Sequence, residues 1–158
     1  WGRETMNRIY PLALWLGAHT FPWVKLSGQG LGFKPSDNNA MLIALGEDPL
    51  VIKKTRIDAL YGIVNLMDAA LEAAPSIRAP MLVLYGAQDE IIPKAATGQM
   101  LARLSGSPRI VIYPDGYHLL LRDLSAEVVL ADISAWITGT DGKLPSGYSG
   151  EWQLFFEQ

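Results

Sequence analysis

The apolar and polar positions of this chain change character at about residue 78. Before that point apolar residues recur at helical spacing or lie scattered among Gly and Pro; after it they gather into short unbroken runs. MNRIYPLALWLGAH, residues 6–19, has Pro11 near its start and reads as a short buried or interfacial helix. FPWVKLSGQGLGFKPSDNN, residues 21–39, reads as loop, because Gly and Pro recur too often for regular structure. Asn38 or Asn39 is placed to cap a short helix, AMLIALG, which Gly46 and Pro49 end. TRIDALYGIVNLMDAALEAAP, residues 55–75, is the clearest helix: Ile57, Leu60, Tyr61, Val64, Met67 and Leu71 fall on one face. Thr55 and Asp58 form a capping box in this reading, and Pro75 stops the helix. No strand is expected before Pro75.

From Arg78 the pattern is strand, helix, strand, helix. MLVLY (81–85) and RIVIY (109–113) are continuous apolar runs, as expected of parallel strands buried on both faces. KAATGQMLARL lies between them and SAEVVLADISAWI follows, both helical in pattern. This order predicts an α/β fold with a parallel pair joined by a crossover helix. Two such strands leave an apolar edge unpaired, so the sheet is expected to be incomplete. After Gly139 the tail is turn-rich and expected to be mobile, closing on the apolar EWQLFFEQ. The expected organisation is therefore a helical cap-like segment over 1–77, an α/β segment over 78–138 and a tail over 139–158. Trp1 stands where a translated frame normally begins with Met, and the expectation is a removed leader or one part of a longer chain.

Composition narrows the function. The 158 residues are 49% hydrophobic, enough for one core. A net charge of −3 disfavours a nucleic-acid partner, which needs a basic surface. The absence of cysteine removes disulfides, thiolate metal sites and a cysteine nucleophile. No nucleotide-binding glycine motif and no metal-ligand spacing occurs, so neither cofactor nor metal is expected. No apolar stretch reaches bilayer-spanning length.

The chemistry-bearing residues follow the two strands. GAQDEIIP places Asp89 just after the first, and PDGYHLLLRD places His118 just after the second. Loops at the carboxyl ends of adjacent parallel strands meet at one edge of a sheet, where a carboxylate can hold a histidine as an oriented base. Gly86 and Gly116 give these loops room to bend. Glu90 neighbours Asp89 and is the weaker candidate. Asp123 either buttresses the histidine loop or, as this reading favours, supports the last helix's N-terminus. His19 reads as a packing residue. Trp15, Phe21, Trp23, Leu26 and Phe33 read as ordinary core rather than as acyl contacts.

APMLVLYGAQDEIIP, RIVIYPDGYHLLLRD and the helix ending ISAWI together resemble the C-terminal part of an α/β-hydrolase, nearest to the monoacylglycerol lipase and lysophospholipase-like serine hydrolases. The resemblance runs from about Trp1 to Ile137 and is strongest over 79–123. It implies that Asp89 is the triad acid and His118 the triad histidine, with the first half forming a cap inserted in the hydrolase fold. It implies a lipid-like ester substrate and a cap that covers an acyl pocket and can meet a membrane surface; the location is not fixed by the sequence, a cytoplasmic or membrane-peripheral one being favoured.

One element of that pattern is missing. The nucleophile of this fold sits on a G-x-S-x-G elbow before the acid, and Ser27, Ser36 and Ser76 lie in KLSGQ, KPSDN and APSIR, which do not fit. GYSGE, near the end, has the wrong glycine spacing and follows the histidine. The expectation is therefore a serine supplied upstream of Trp1, through the missing N-terminal half of the hydrolase, with self-association as the other way to cover the open edge. The alternative reading is a non-catalytic binding or assembly module derived from the same fold.

Overall fold

A computed structural model describes residues 3, 6–28, 30–139, 142–148 and 152–156, apart from the side chains of Trp152 and Leu154. Trp1 and the Ser149 of GYSGE lie outside the described residues. The first half contains three helices, α1 (Ile9–Thr20), α2 (Asn39–Glu47) and α3 (Ile57–Ala73). The expected face of α3 points inward: Val64 and Leu71 are buried, while Ile63 and Leu66 off that face are exposed. α1 packs on α3. Asn38 caps α2, its side-chain oxygen accepting from the Met41 N–H at 3.1 Å.

Two expectations about secondary structure in this half are corrected. Strands are present before Pro75: β1 (Lys25–Leu26) pairs antiparallel with β2 (Thr55–Arg56), and the Ile57 N–H extends the ladder to the Val24 carbonyl at 2.8 Å. At two residues each they are too short to show any periodicity. The Thr55–Asp58 capping box does not form. Thr55 belongs to β2, and Asp58 pairs with the Arg56 guanidinium at 2.5 Å and accepts from the Ala59 N–H. That exposed pair raises the Arg56 pKa and lowers that of Asp58, each chiefly through the hydrogen bond between them.

The second half is the expected α/β unit. β3 (Leu82–Gly86) and β4 (Arg109–Tyr113) pair in parallel from Leu82 opposite Arg109 to Gly86 opposite Tyr113, with α4 (Lys94–Arg103) between them and α5 (Ala126–Thr138) after. Alternation distributes the apolar runs to two cores. Val83, Tyr85, Ile110 and Ile112 face α4 and the last helix, α6 (Trp152–Phe156), meeting Leu101 and Phe156. Leu82, Leu84, Val111 and Tyr113 face α5, meeting Val129 and Leu144. Both faces of this small sheet are covered, which explains strands without polar positions.

The tail differs from expectation. Leu144 is buried in the second core and Phe156 in the first, so residues 142–148 and α6 are packed rather than mobile. Asp132 of α5, fully buried, accepts from the Tyr113 hydroxyl at 2.8 Å and from the Ser146 N–H at 2.9 Å. Burial, and then this hydrogen bond, raise the Tyr113 pKa. The five aromatic and leucine residues assigned to a core (Trp15, Phe21, Trp23, Leu26 and Phe33) are all exposed. They lie on the helical half, where α1 has no buried residue.

Candidate active site

The loops that follow β3 and β4 cross each other at the carboxyl end of the sheet. The Ala87 N–H donates to the Tyr113 carbonyl at 2.9 Å and the Gln88 N–H to the Gly116 carbonyl at 2.9 Å. Two glycines allow this approach. A Cβ on Gly86 would stand 2.4 Å from the Gly116 oxygen and 2.5 Å from that of Tyr117, so only hydrogen fits there.

The crossing brings Asp89 and His118 together. His118 Nδ1 lies 3.0 Å from Asp89 Oδ2. The other carboxylate oxygen, Oδ1, accepts from the backbone N–H groups of Ile91 at 2.8 Å and Ile92 at 3.0 Å. The carboxylate is thereby clamped on one side by its own loop and presents the remaining oxygen to the ring. Tyr85 ties the end of that loop to β3 by donating its hydroxyl to the Ile92 carbonyl at 2.7 Å. Burial, helped by the nearby Asp89 charge, pushes the Tyr85 phenol up to about 12.

Exposure differs across the pair: the His118 side chain is 32% exposed and that of Asp89 only 7%. With Nδ1–H donated to the carboxylate, Nε2 is left as an acceptor, and among the described residues it has no hydrogen-bond partner. An open hollow of about 420 Å³ adjoins the ring, lined by Leu84, His118, Leu119, Leu120, Leu121, Arg122, Val129 and Ile133. A second, of about 580 Å³, lies between the glycine-rich loop and the acid loop, with Leu31, Phe33, Pro35 and Ile91 in its wall.

The other candidates take different places. Glu90 turns away to accept the Lys34 N–H at 3.0 Å. His19 stays on the helical half, its Nδ1 2.7 Å from the Trp15 carbonyl and its ring against Trp15 and Tyr61. Asp123 departs from the favoured reading. It lies before α5, whose cap is Ser125, and supports the histidine loop by accepting from the Tyr117 N–H at 2.8 Å. Ser36, read in the sequence only as a serine without an elbow, proves to be fully buried and donates to Asp123 at 2.6 Å. Its sole signal in the sequence was a place in the polar KPSDNN stretch, with its partner 87 residues away. Among the described residues no cluster of three or more His, Asp or Glu side chains gathers to hold a metal ion.

The family model for serine aminopeptidase, S33, matches residues 1–125, the helical half, both strands and the two loops. The chain belongs to the serine aminopeptidase S33 family. A monoacylglycerol lipase of Mycolicibacterium smegmatis is 24% identical over 106 residues, covering 60% of this chain and 38% of that protein. The crystal structure of Paleococcus ferrophilus monoacylglycerol lipase superposes with a TM-score of 0.71 at 23% identity, covering 85% of this chain and 53% of that one. This S33 chain therefore carries part of an α/β-hydrolase fold, and it spans about half or less of the length of these two relatives. No helix among its described residues is long and apolar enough to cross a membrane.

Proposed function

We propose that this chain supplies the acid and the base of a serine carboxylic-ester hydrolase acting on monoacylglycerols or similar lipid esters. The observation that carries the reading is the 3.0 Å contact between His118 Nδ1 and Asp89 Oδ2, with Nε2 left open beside a leucine-lined hollow. In this reading residues 1–77 form the cap, 78–138 the catalytic end of the hydrolase core, and 139–158 a tail whose Leu144 and Phe156 pack against that core. The nucleophilic serine and the oxyanion donors come from outside these 158 residues, since no G-x-S-x-G elbow occurs within them.

The chemistry follows from the geometry. His118 Nε2 takes the serine proton as the serine oxygen attacks the ester carbonyl. Asp89 holds the ring in the Nδ1–H tautomer and stabilises the imidazolium that forms. The ring then gives that proton to the departing glycerol oxygen, leaving an acyl-serine. Water, deprotonated by the same nitrogen, cleaves the acyl-serine and restores both side chains. The leucines around the ring suit an acyl chain better than a charged group.

The reading is tested in the gene and in the tube. A G-x-S-x-G elbow encoded in the same reading frame is expected, and the joined protein should hydrolyse monoacylglycerol. In that protein Asp89→Asn should lower kcat by roughly 10⁴-fold, the scale at which loss of a triad acid acts. Ester turnover by the 158-residue chain alone, abolished by His118→Ala, would instead mean that the nucleophile lies within it.

A further inference from the structure

The segment Lys34–Asn38 leaves the glycine-rich loop, passes over both catalytic-side loops and then starts α2. On the acid side, the Lys34 N–H donates to Glu90. On the histidine side, the Leu119 N–H donates to the Pro35 carbonyl at 2.9 Å. Asn38 Nδ2 donates to the Arg122 carbonyl at 3.2 Å, and the Leu124 N–H to Asp37 Oδ1 at 2.8 Å. At the centre lies a buried relay. Ser36, 0% exposed, donates to Oδ1 of Asp123, 4% exposed, and Asp123 Oδ2 accepts from the N–H of Tyr117, the residue before His118. Ser36 Oγ also accepts from the Asn38 N–H at 3.2 Å, so the hydroxyl is used as donor and acceptor.

We propose that Ser36 and Asp123 are positioning residues for His118, fixing the histidine loop to the Lys34–Asn38 strap so that the ring meets Asp89. The proposal rests on the reading of Asp89 and His118 as the acid–base pair and deepens it. The physical argument is that a half-exposed ring on a loop keeps one orientation only if its backbone is held. Position 118 is held through its neighbours on both sides, at Tyr117 by Asp123 and at Leu119 by Pro35. Removing Asp123 orphans a Tyr117 N–H and a buried Ser36 hydroxyl at once, which the loop can relieve only by moving toward water. The same network joins the strap to the site, so a displacement of the strap reaches the ring.

The test reads the His118 tautomer rather than activity. Solid-state NMR of the chain labelled with 15N-histidine reports which ring nitrogen carries the proton and does not require a monomer; His19→Gln separates the two histidines. The wild-type chain should show His118 biased to the Nδ1–H form, and Asp89→Asn should abolish that bias. Asp123→Ala should abolish it too, while Asp123→Asn should keep it. The amide oxygen can still accept from Tyr117, and the Ser36 hydroxyl can accept from the amide nitrogen. Should Asp123→Ala fail to fold, Ser36→Ala decides by the same loss of bias. A bias that needs Asp89 but survives Asp123→Ala, or Ser36→Ala, in a folded chain overturns the positioning role and leaves the acid–base pair standing. Loss in Asp123→Asn as well would trace the effect to charge and overturn the hydrogen-bond account. A wild-type ring without Asp89-dependent bias overturns both.

Discussion

At the scale of single residues, two glycines and a tyrosine decide whether the acid and histidine loops can cross. A Cβ at Gly86 would meet backbone atoms, which cannot yield, whereas at Gly116 its nearest contact at 2.5 Å is the end of the flexible Leu120 side chain. Gly86→Ala should therefore destabilise the chain by about 1–3 kcal/mol through overpacking, and by more than Gly116→Ala. Urea denaturation of the two variants checks the order, and equal losses would contradict it. Tyr85 gives a pH dependence. Its phenol titrates at 10.0 in an unfolded chain and at about 12 when folded, because burial and the Asp89 charge disfavour the phenolate. Between those values the unfolded chain has released a proton that the folded one keeps, so this contribution is complete below pH 10 and is lost as pH rises through about 12. The denaturation midpoint should fall across that window, and less steeply in Tyr85→Phe; a flat wild-type profile would refute the assignment. Asp89 and His118 were legible in the sequence because each stands in the loop after an apolar run, and the two loops together match the pattern of a known family. Ser36 and Asp123 were not, because their bond joins parts of the chain that only folding brings together.

At the scale of elements, unbroken apolar runs and helical periodicity located β3, β4 and the long helices, and packing overruled local signals elsewhere. Thr55 and Asp58 have capping-box spacing, yet Thr55 is drawn into β2 by its pairing with Leu26. The tail has the composition of a mobile segment, yet one carboxylate on α5 holds it down. Asp132 takes the Tyr113 hydroxyl with one oxygen and the Ser146 N–H with the other, and Leu144 fills the core between them. Its i, i+3 and i+4 neighbours gave no hint of this, since its partners lie on β4 and in the tail. Asp132→Ala should leave both donors without a partner, each worth about 1–3 kcal/mol where it stays buried. Limited proteolysis should then cut within residues 142–148 of the variant well before the wild type. Equal cleavage rates would show that Leu144 and Phe156 hold the tail without the carboxylate.

At the scale of the whole molecule, the two faces of the sheet are covered, while among the described residues neither edge carries a further strand. Among the described residues β3 and β4 pair only with each other. The two strands are also unequally covered. Ile110, Val111 and Tyr113 of β4 are buried, whereas Leu82, Val83 and Leu84 of β3 remain half-buried. Leu84 opens into the same hollow as His118, so the thinly covered side of the sheet is the side of the candidate site. The sequence carried this much, since two apolar strands need more neighbours than each other, with the open edge expected on MLVLY; the unequal cover of the two strands needed the packing of α5 and α6. An outward row of unpaired N–H and C=O groups on an apolar strand is a template for another chain. The helical half adds exposed Trp15, Leu16, Phe21, Trp23 and Phe33, apolar side chains that a second chain could cover. The isolated chain is therefore expected to self-associate through β3. Sedimentation velocity should give a mass above 17.3 kDa that rises with concentration. A wild-type monomer across the concentration range, with β3 amides protected from exchange, would show that the edge is already satisfied within one chain.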